Sequence, residues 1–193
     1  MTGRGLFSFF SPDEIEQNRE VNREFSIGTS KCDECGLYRK CKSPKMNYTG
    51  KGMKECLIIG EAPGSKEDEV GSQFARHADA GTRLRTEVSN NGYELDRDFW
   101  KINAVNCRPF KVSQRGSVSN RTPTKAEIRF CKPMVDKAII DLKPKYIWLM
   151  GGAALESFYA GEFRKFALSR WRGLNIPDQR HKAFISPSFH PSY

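Results

Sequence analysis

Four short apolar runs stand out of an otherwise polar chain: Cys56-Leu57-Ile58-Ile59, Phe99 to Val105, Tyr146-Ile147-Trp148-Leu149-Met150 and Ala183-Phe184-Ile185-Ser186. The first stops at Gly60 and the third at Gly151-Gly152. Apolar runs of this length, bounded by turn residues, predict strands buried on both faces, as in a parallel sheet. Helical signals lie between and before them. Ser11-Pro12-Asp13-Glu14 combines a serine cap, a first-turn proline and a following glutamate, and predicts a helix to about Arg23. Ala80 to Asn90 reads as a helix closed by Asn91-Gly92. Thr124-x-x-Glu127 is a capping box that opens a helix to Leu142, which Pro133 is expected to kink or divide. Gly151-Gly152 turns into a helix through Tyr159.

Strands alternating with helices predict an α/β domain: a doubly wound, mainly parallel four-stranded sheet flanked by helices. Its ligands should sit beyond the carboxyl ends of the strands. Both Gly60–Gly64 and the loop ending in His190 emerge from such ends. Thr29 to Lys54, rich in Lys, Pro and Gly, is expected to be irregular. The division is therefore an N-terminal helical extension over 1–28 and one domain over 29–193.

A chain of 193 residues with 38% hydrophobic content can bury one core. No run of about 18 apolar residues exists to span a membrane. Met1 to Phe10 carries Leu6, Phe7, Phe9 and Phe10 but lacks the long apolar region and cleavage site of a signal peptide. A cytoplasmic monomer is the expectation. The net charge of +9 changes the picture, because basic residues recur in several loops and favour a polyanion, nucleic acid above all. Arg121 and Arg172 are taken as phosphate contacts.

Cysteine chemistry narrows it further. Cys32-x-x-Cys35 lies near the start, Cys107 follows Ala104-Val105-Asn106, and Cys131 lies in the next helical segment. Two distant pairs of soft thiolates closing on one centre suggest an iron–sulfur cluster. A zinc ribbon would want a second C-x-x-C, and the chain is too large and charged for a stapled secreted scaffold. Cys56, in an apolar strand, reads as a core thiol. Cys41 could replace one ligand, although four are already in place.

The remaining candidates gather around the two strand-end loops. Glu61 follows the first strand within Gly60-Glu61-Ala62-Pro63-Gly64, where glycine lets a ligand approach the backbone and proline stiffens the turn. A carboxylate held there can position water or stabilise a developing cation; the bland alternative is a surface turn glutamate. The Gly-Lys-Ser/Thr of a phosphate loop is absent. His190, before Pro191-Ser192, is fixed by a rigid turn, and Asn103 is a polar residue in a strand, so it is hydrogen-bonded or faces a pocket. Phe74, taken alone, reads as core.

Taken together, these strings resemble the uracil-DNA glycosylase superfamily, specifically its iron–sulfur family 4, over nearly all of Cys32 to Tyr193. The matching stretches are Cys32-x-x-Cys35 with Leu37; Gly60-Glu61-Ala62-Pro63-Gly64 with Glu67-Asp68; Gln73-Phe74; Asn103 to Pro109; Asn120-Arg121-Thr122-Pro123 with Glu127-Ile128 and Cys131; Arg172-Gly173; and His190 to Tyr193. The resemblance implies a structural [4Fe–4S] cluster on Cys32, Cys35, Cys107 and Cys131. It implies hydrolysis served by Glu61 and His190, with Gly60, Ala62, Phe74 and Asn103 at the base: Phe74 stacking on it and Asn103 reading its edge. The implied activity is excision of uracil from DNA. A non-catalytic iron–sulfur DNA-binding module, or a glycosylase for another deaminated base such as hypoxanthine, are the alternatives. The chain departs from the family's pattern at Gln73, where proline is usual, in the less glycine-rich stretch from Phe74 to Gly81, and in an insertion from Phe110 to Ser119. The family also continues past the position of Tyr193, so a C-terminally truncated domain is expected.

Overall fold

A computed structural model describes residues 29–159 and 168–193. The helix predicted from Ser11 to Arg23 lies outside the described residues. In chain order the elements are α1 (Cys32–Cys35), a 3-10 turn (Leu37–Lys40), β1 (Cys56–Gly60), α2 (Ser65–Val70), α3 (Asp79–Asn90), α4 (Leu95–Asp98), β2 (Phe99–Asn103), β3 (Phe110–Val112), β4 (Val118–Asn120), α5 (Lys125–Leu142), β5 (Tyr146–Met150), α6 (Gly152–Tyr159), α7 (Leu168–Trp171), β6 (Ile176–Asp178) and β7 (Ala183–Ser188).

The main sheet has the order β2-β1-β5-β7-β6 and is parallel except for β6, which runs antiparallel to β7. It therefore has five strands, one more than the apolar runs predict. The extra strand is three residues long and contains Pro177, a composition that reads as a turn. It exists because Ile176 and Asp178 find partners on β7 at Ile185 and Ala183. Proline is tolerated there because the strand is an edge. The insertion is also ordered, as the separate β3–β4 hairpin.

Strand side chains alternate between two cores. Leu57, Ile59, Ile102, Ile147, Leu149 and Ile185 pack with α5 and α6, whereas Ile58, Phe99 and Met150 pack with α3 through Leu84 and Val88. Burial on both faces is why the strands read as continuous apolar runs. Helix α5 runs unbroken through Pro133, contrary to a division there. The proline removes one helical hydrogen bond, but Ile128 before it and Val135, Ala138 and Ile139 after it are all buried. The loop expected to be irregular also contains α1 and the 3-10 turn. No helix among the described residues is long and apolar enough to cross a membrane.

Among the described charged side chains, Lys101 lies deepest in this scaffold. Lys101, in the middle of β2, is 1% exposed and pairs with Asp96, which also takes both guanidinium nitrogens of Arg85 at 2.6 and 3.0 Å. Partial burial pushes the Asp96 carboxyl up, but the hydrogen bonds and charges of Arg85 and Lys101 outweigh it and hold it at about 2. Because that lies below the unfolded value near 3.9, the pair stabilises the fold above about pH 4 and stops doing so as pH falls toward 2. Asp96→Asn should lower unfolding free energy by about 2 kcal/mol at pH 7. That is less than a fully buried pair would lose, since Asp96 keeps water contact. The difference should shrink as acid is added, read from urea midpoints at several pH values.

Candidate active site and cysteine centre

The site starts from the register of β1 and β2, which places Gly60 beside Asn103 at the carboxyl edge of the sheet. The two exit segments then run on together. Ala104 N–H donates to Gly60 O at 2.9 Å and Val105 N–H to Glu61 O at 3.1 Å. Glycine at position 60 is a steric requirement: a Cβ there would lie 2.4 Å from Asn103 Oδ1 and 2.9 Å from Phe74 Cζ. Gly60, Asn103 and Phe74 are thus one contact group. The Asn103 Nδ2 donor in it is buried and has no hydrogen-bond partner among the described residues. Such a donor is costly to leave unpaired and marks a place for a ligand acceptor.

Phe74 is held in a left-handed backbone conformation, φ 50°, which is strained for a bulky side chain. Three features hold it there. Its N–H donates to Glu67 Oε1 at 2.6 Å, and its carbonyl accepts from Arg85 Nη2 at 3.1 Å. Gly81 leaves room, since a Cβ there would meet Ala75 O at 2.1 Å. The Phe74 ring lies 6.0 Å from that of His190, with planes 30° apart. Gln73 is fully buried; it accepts from Thr49 Oγ1 and donates to Asn47 O, both at 2.8 Å.

Glu61, Ala62, His190 and Ser192 line a cavity of about 430 Å³, whose rim includes Lys66, Asn120, Arg121 and Thr122. Burial pushes the Glu61 carboxyl above the usual carboxylate range, opposed by a hydrogen bond from Thr122. Burial also lowers His190, which favours the neutral ring. The Ser192 N–H, which can only donate, reaches His190 Nδ1 at 3.3 Å, and the Ser192 hydroxyl stands 2.7 Å from the same nitrogen. Nδ1 is therefore the acceptor, and the neutral ring carries its proton on Nε2.

Arg121 lies on the rim, but its guanidinium is engaged by Glu127 at 2.6 and 2.8 Å. Arg172 lies 5.1 Å over the Phe189 ring.

The cysteines gather behind the same strand ends. Cys32, Cys35, Cys107 and Cys131 line one small cavity with Tyr38, Val105 and Met134. All six cysteines are free thiols. Backbone N–H groups point at the sulfurs: Lys45 to Cys107 at 3.2 Å and Asn106 to Cys131 at 3.3 Å. Burial and the neighbouring thiols push Cys107 up to about 12, against the pull of the Lys45 N–H. Among the described residues no three His, Cys, Asp or Glu side chains are grouped as ligands of a single metal ion. Four thiols around a shared cavity, with N–H donors aimed at sulfur, suit a polynuclear cluster, whose ligands attach to different metal atoms. Cys41 is not in that lining but is hydrogen-bonded to Cys107, and its sulfur accepts from Arg108 N–H at 3.2 Å.

Sequence reading missed two supports. Thr122 was legible only as part of a string, and its contact with Glu61 crosses the fold. Glu67 reads as an ordinary first-turn helix glutamate, yet it is buried and its two oxygens take the N–H groups of Gly64 (2.7 Å) and Phe74 (2.6 Å).

Residues 47–193 match the model of the uracil DNA glycosylase superfamily, and the chain belongs to that superfamily. It is similar to proteins named Type-4 uracil-DNA glycosylase. The Pyrobaculum aerophilum relative is 36% identical over 62% of this chain and 55% of its own length. The Saccharolobus solfataricus relative is 29% identical over 84% of this chain and 71% of its own, and that of Sulfurisphaera tokodaii 27% over 83% and 70%. The chain thus spans little more than half of the first of these and about seven tenths of the other two.

Glu67→Gln turns one acceptor into a donor, so either Gly64 or Phe74 loses its partner. Amide exchange there should accelerate at least about tenfold, the worth of one lost buried hydrogen bond. Exchange in Leu57–Ile59 should not change. Unaltered exchange at both Gly64 and Phe74 would remove Glu67 from this role.

Proposed function

We propose that the protein is a uracil-DNA glycosylase, hydrolysing the bond between uracil and deoxyribose in DNA. The observation that carries this reading is the unpartnered, buried Asn103 amide beside the Phe74 ring, next to a cavity lined by Glu61 and His190. A base must leave the helix before its glycosidic bond can be reached. A cavity of this size admits one; Phe74 and Asn103 lie outside its lining and almost fully buried, and the Phe74 ring is the platform proposed to restore the stacking lost on the way. Asn103 Nδ2 supplies a donor for uracil O4, and its carbonyl an acceptor for N3–H; cytosine presents the reverse pattern.

The two titratable groups then divide the work. Bond cleavage builds positive charge on the sugar and negative charge on the departing uracil. Glu61, in its ionised form, steadies the first and orients the attacking water. His190, neutral and protonated at Nε2, donates to uracil O2 and steadies the second without carrying a charge of its own. Because Glu61 must be ionised, the rate should fall on the acid side at a pH above the usual carboxylate range. Glu61→Gln should slow single-turnover excision about a hundredfold or more, on the order of 3 kcal/mol, with DNA affinity nearly unchanged. Full excision of uracil by the Glu61→Gln, His190→Ala double variant would defeat the assignment.

Cys32, Cys35, Cys107 and Cys131 are proposed to hold a [4Fe–4S] cluster. Bound there, it would cross-link the segment before β1 to the β2 exit and α5. Protein purified without oxygen should be brown and contain about four irons per chain. Cys107→Ser or Cys131→Ser should lose iron and stability together. Stoichiometric zinc with no iron would rule the cluster out.

A further inference from the structure

We infer that the β3–β4 hairpin is a DNA-contacting arm beside the base cavity, holding the strand next to the extruded nucleotide. This rests on the glycosylase reading for its partner and on separate observations for its placement. The chain has no acidic residue between Asp98 and Glu127, a stretch that contains Arg108, Lys111, Arg115, Arg121 and Lys125. Arg121 is held by Glu127, but among the described residues Lys111 and Arg115 form no ion pair. Two exposed cations on a projecting hairpin, with no carboxylate on it, are complementary to a phosphate backbone and to little else.

The register sets the direction of the hairpin. Phe110 pairs with Asn120, Lys111 with Ser119 and Val112 with Val118. Alternation puts Phe110, Val112, Val118 and Asn120 on one face and Lys111 on the other. Asn120 is anchored to Arg108 Nε at 2.8 Å and lines the base cavity. The valine pair therefore continues outward from the cavity rim on the cavity's own side. Val112 and Val118 stay 60% and 52% exposed, directly opposite one another, so neither serves a core of the described fold. An apolar pair flanked by cations at the mouth of a base pocket has the chemistry of a wedge that covers the base step opened by flipping. The loop beyond is closed by Ser113 N–H to Ser117 O at 2.9 Å and the Ser113–Ser117 hydroxyl contact at 2.7 Å, which keeps the arm formed without a partner.

The full chain with its metal complement should be tested in two arms. In the first, binding to a uracil-free duplex is followed by fluorescence anisotropy over a salt series. Lys111→Ala with Arg115→Ala should weaken affinity about tenfold near 0.1 M salt and flatten the logarithmic salt slope by nearly two, about 0.9 for each phosphate lost. Lys111→Arg with Arg115→Lys should restore both. An unchanged slope in the alanine variant overturns the arm. In the second, Val112→Ser with Val118→Ser should slow single-turnover excision at saturating enzyme about tenfold on duplex uracil DNA and leave single-stranded DNA at the wild-type rate. Equal rates for variant and wild type on both substrates, or an equal loss on both, overturns the wedge. Failure of the wild-type protein to release uracil would instead sink the glycosylase reading, and the binding arm would still decide the hairpin.

Discussion

Everything at the carboxyl edge depends on two parallel strands leaving the sheet side by side. The pairing of Gly60 with Asn103 and the two bonds that follow it, Ala104 N–H to Gly60 O and Val105 N–H to Glu61 O, bind the glutamate loop to the segment that carries Asn106 and Cys107. A one-residue slip of β2 would turn Asn103 away from Gly60 and send Ile102 to the wrong core. The two cores forbid that slip, since Leu57 and Ile59 demand one helix layer and Ile58 the other. Packing thus sets the position of the polar residues, which contribute little to it.

The same edge joins two centres of different chemistry. Asn106 accepts from Asn103 N–H through Oδ1 at 3.2 Å, while its own N–H points at Cys131 sulfur. On the other side of β1, neighbouring residues divide a similar task. Glu67 fixes the loops of Gly64 and Phe74, and Asp68 accepts the N–H groups of Ser43 (2.9 Å) and Lys42 (3.2 Å) in the cysteine-bearing segment. Hydrogen bonds thus join the strand-end loops to Cys131 through Asn106 and to the cysteine-bearing segment through Glu67-Asp68.

Local strain is present beside the candidate site. Phe74 sits in a conformation that costs on the order of 1–3 kcal/mol, and Asn103 keeps a buried donor idle. Neither improves the stability of the free protein. The first is held by its surroundings: Lys101, Asp96 and Arg85 form a partly buried charge network that ends on the Phe74 carbonyl. A region prepared in advance loses little when a ligand arrives, which is the usual advantage of preorganisation.

By itself the sequence determined the parallel α/β scaffold, because residues buried on both faces must be apolar at every position and the runs at β1 and β5 are just that. It also determined the cysteine pairs and the strand-end loops of Glu61 and His190, since glycine and proline at a strand end leave few alternatives. Strand β6 could not be read from it, because a three-residue edge containing Pro177 is stabilised by its pairing with β7 and not by its own propensity. Helix α5 passes Pro133 for a related reason, as burial on both sides of the proline outweighs one lost hydrogen bond. Only the tertiary structure decided that Arg121 is held by Glu127, that Glu67 supports Phe74, and that Ser192 leaves the His190 proton on Nε2. Each of those contacts joins residues close in the chain, but which donor meets which acceptor is set by how the folded loops orient their side chains, and residue spacing alone does not fix that.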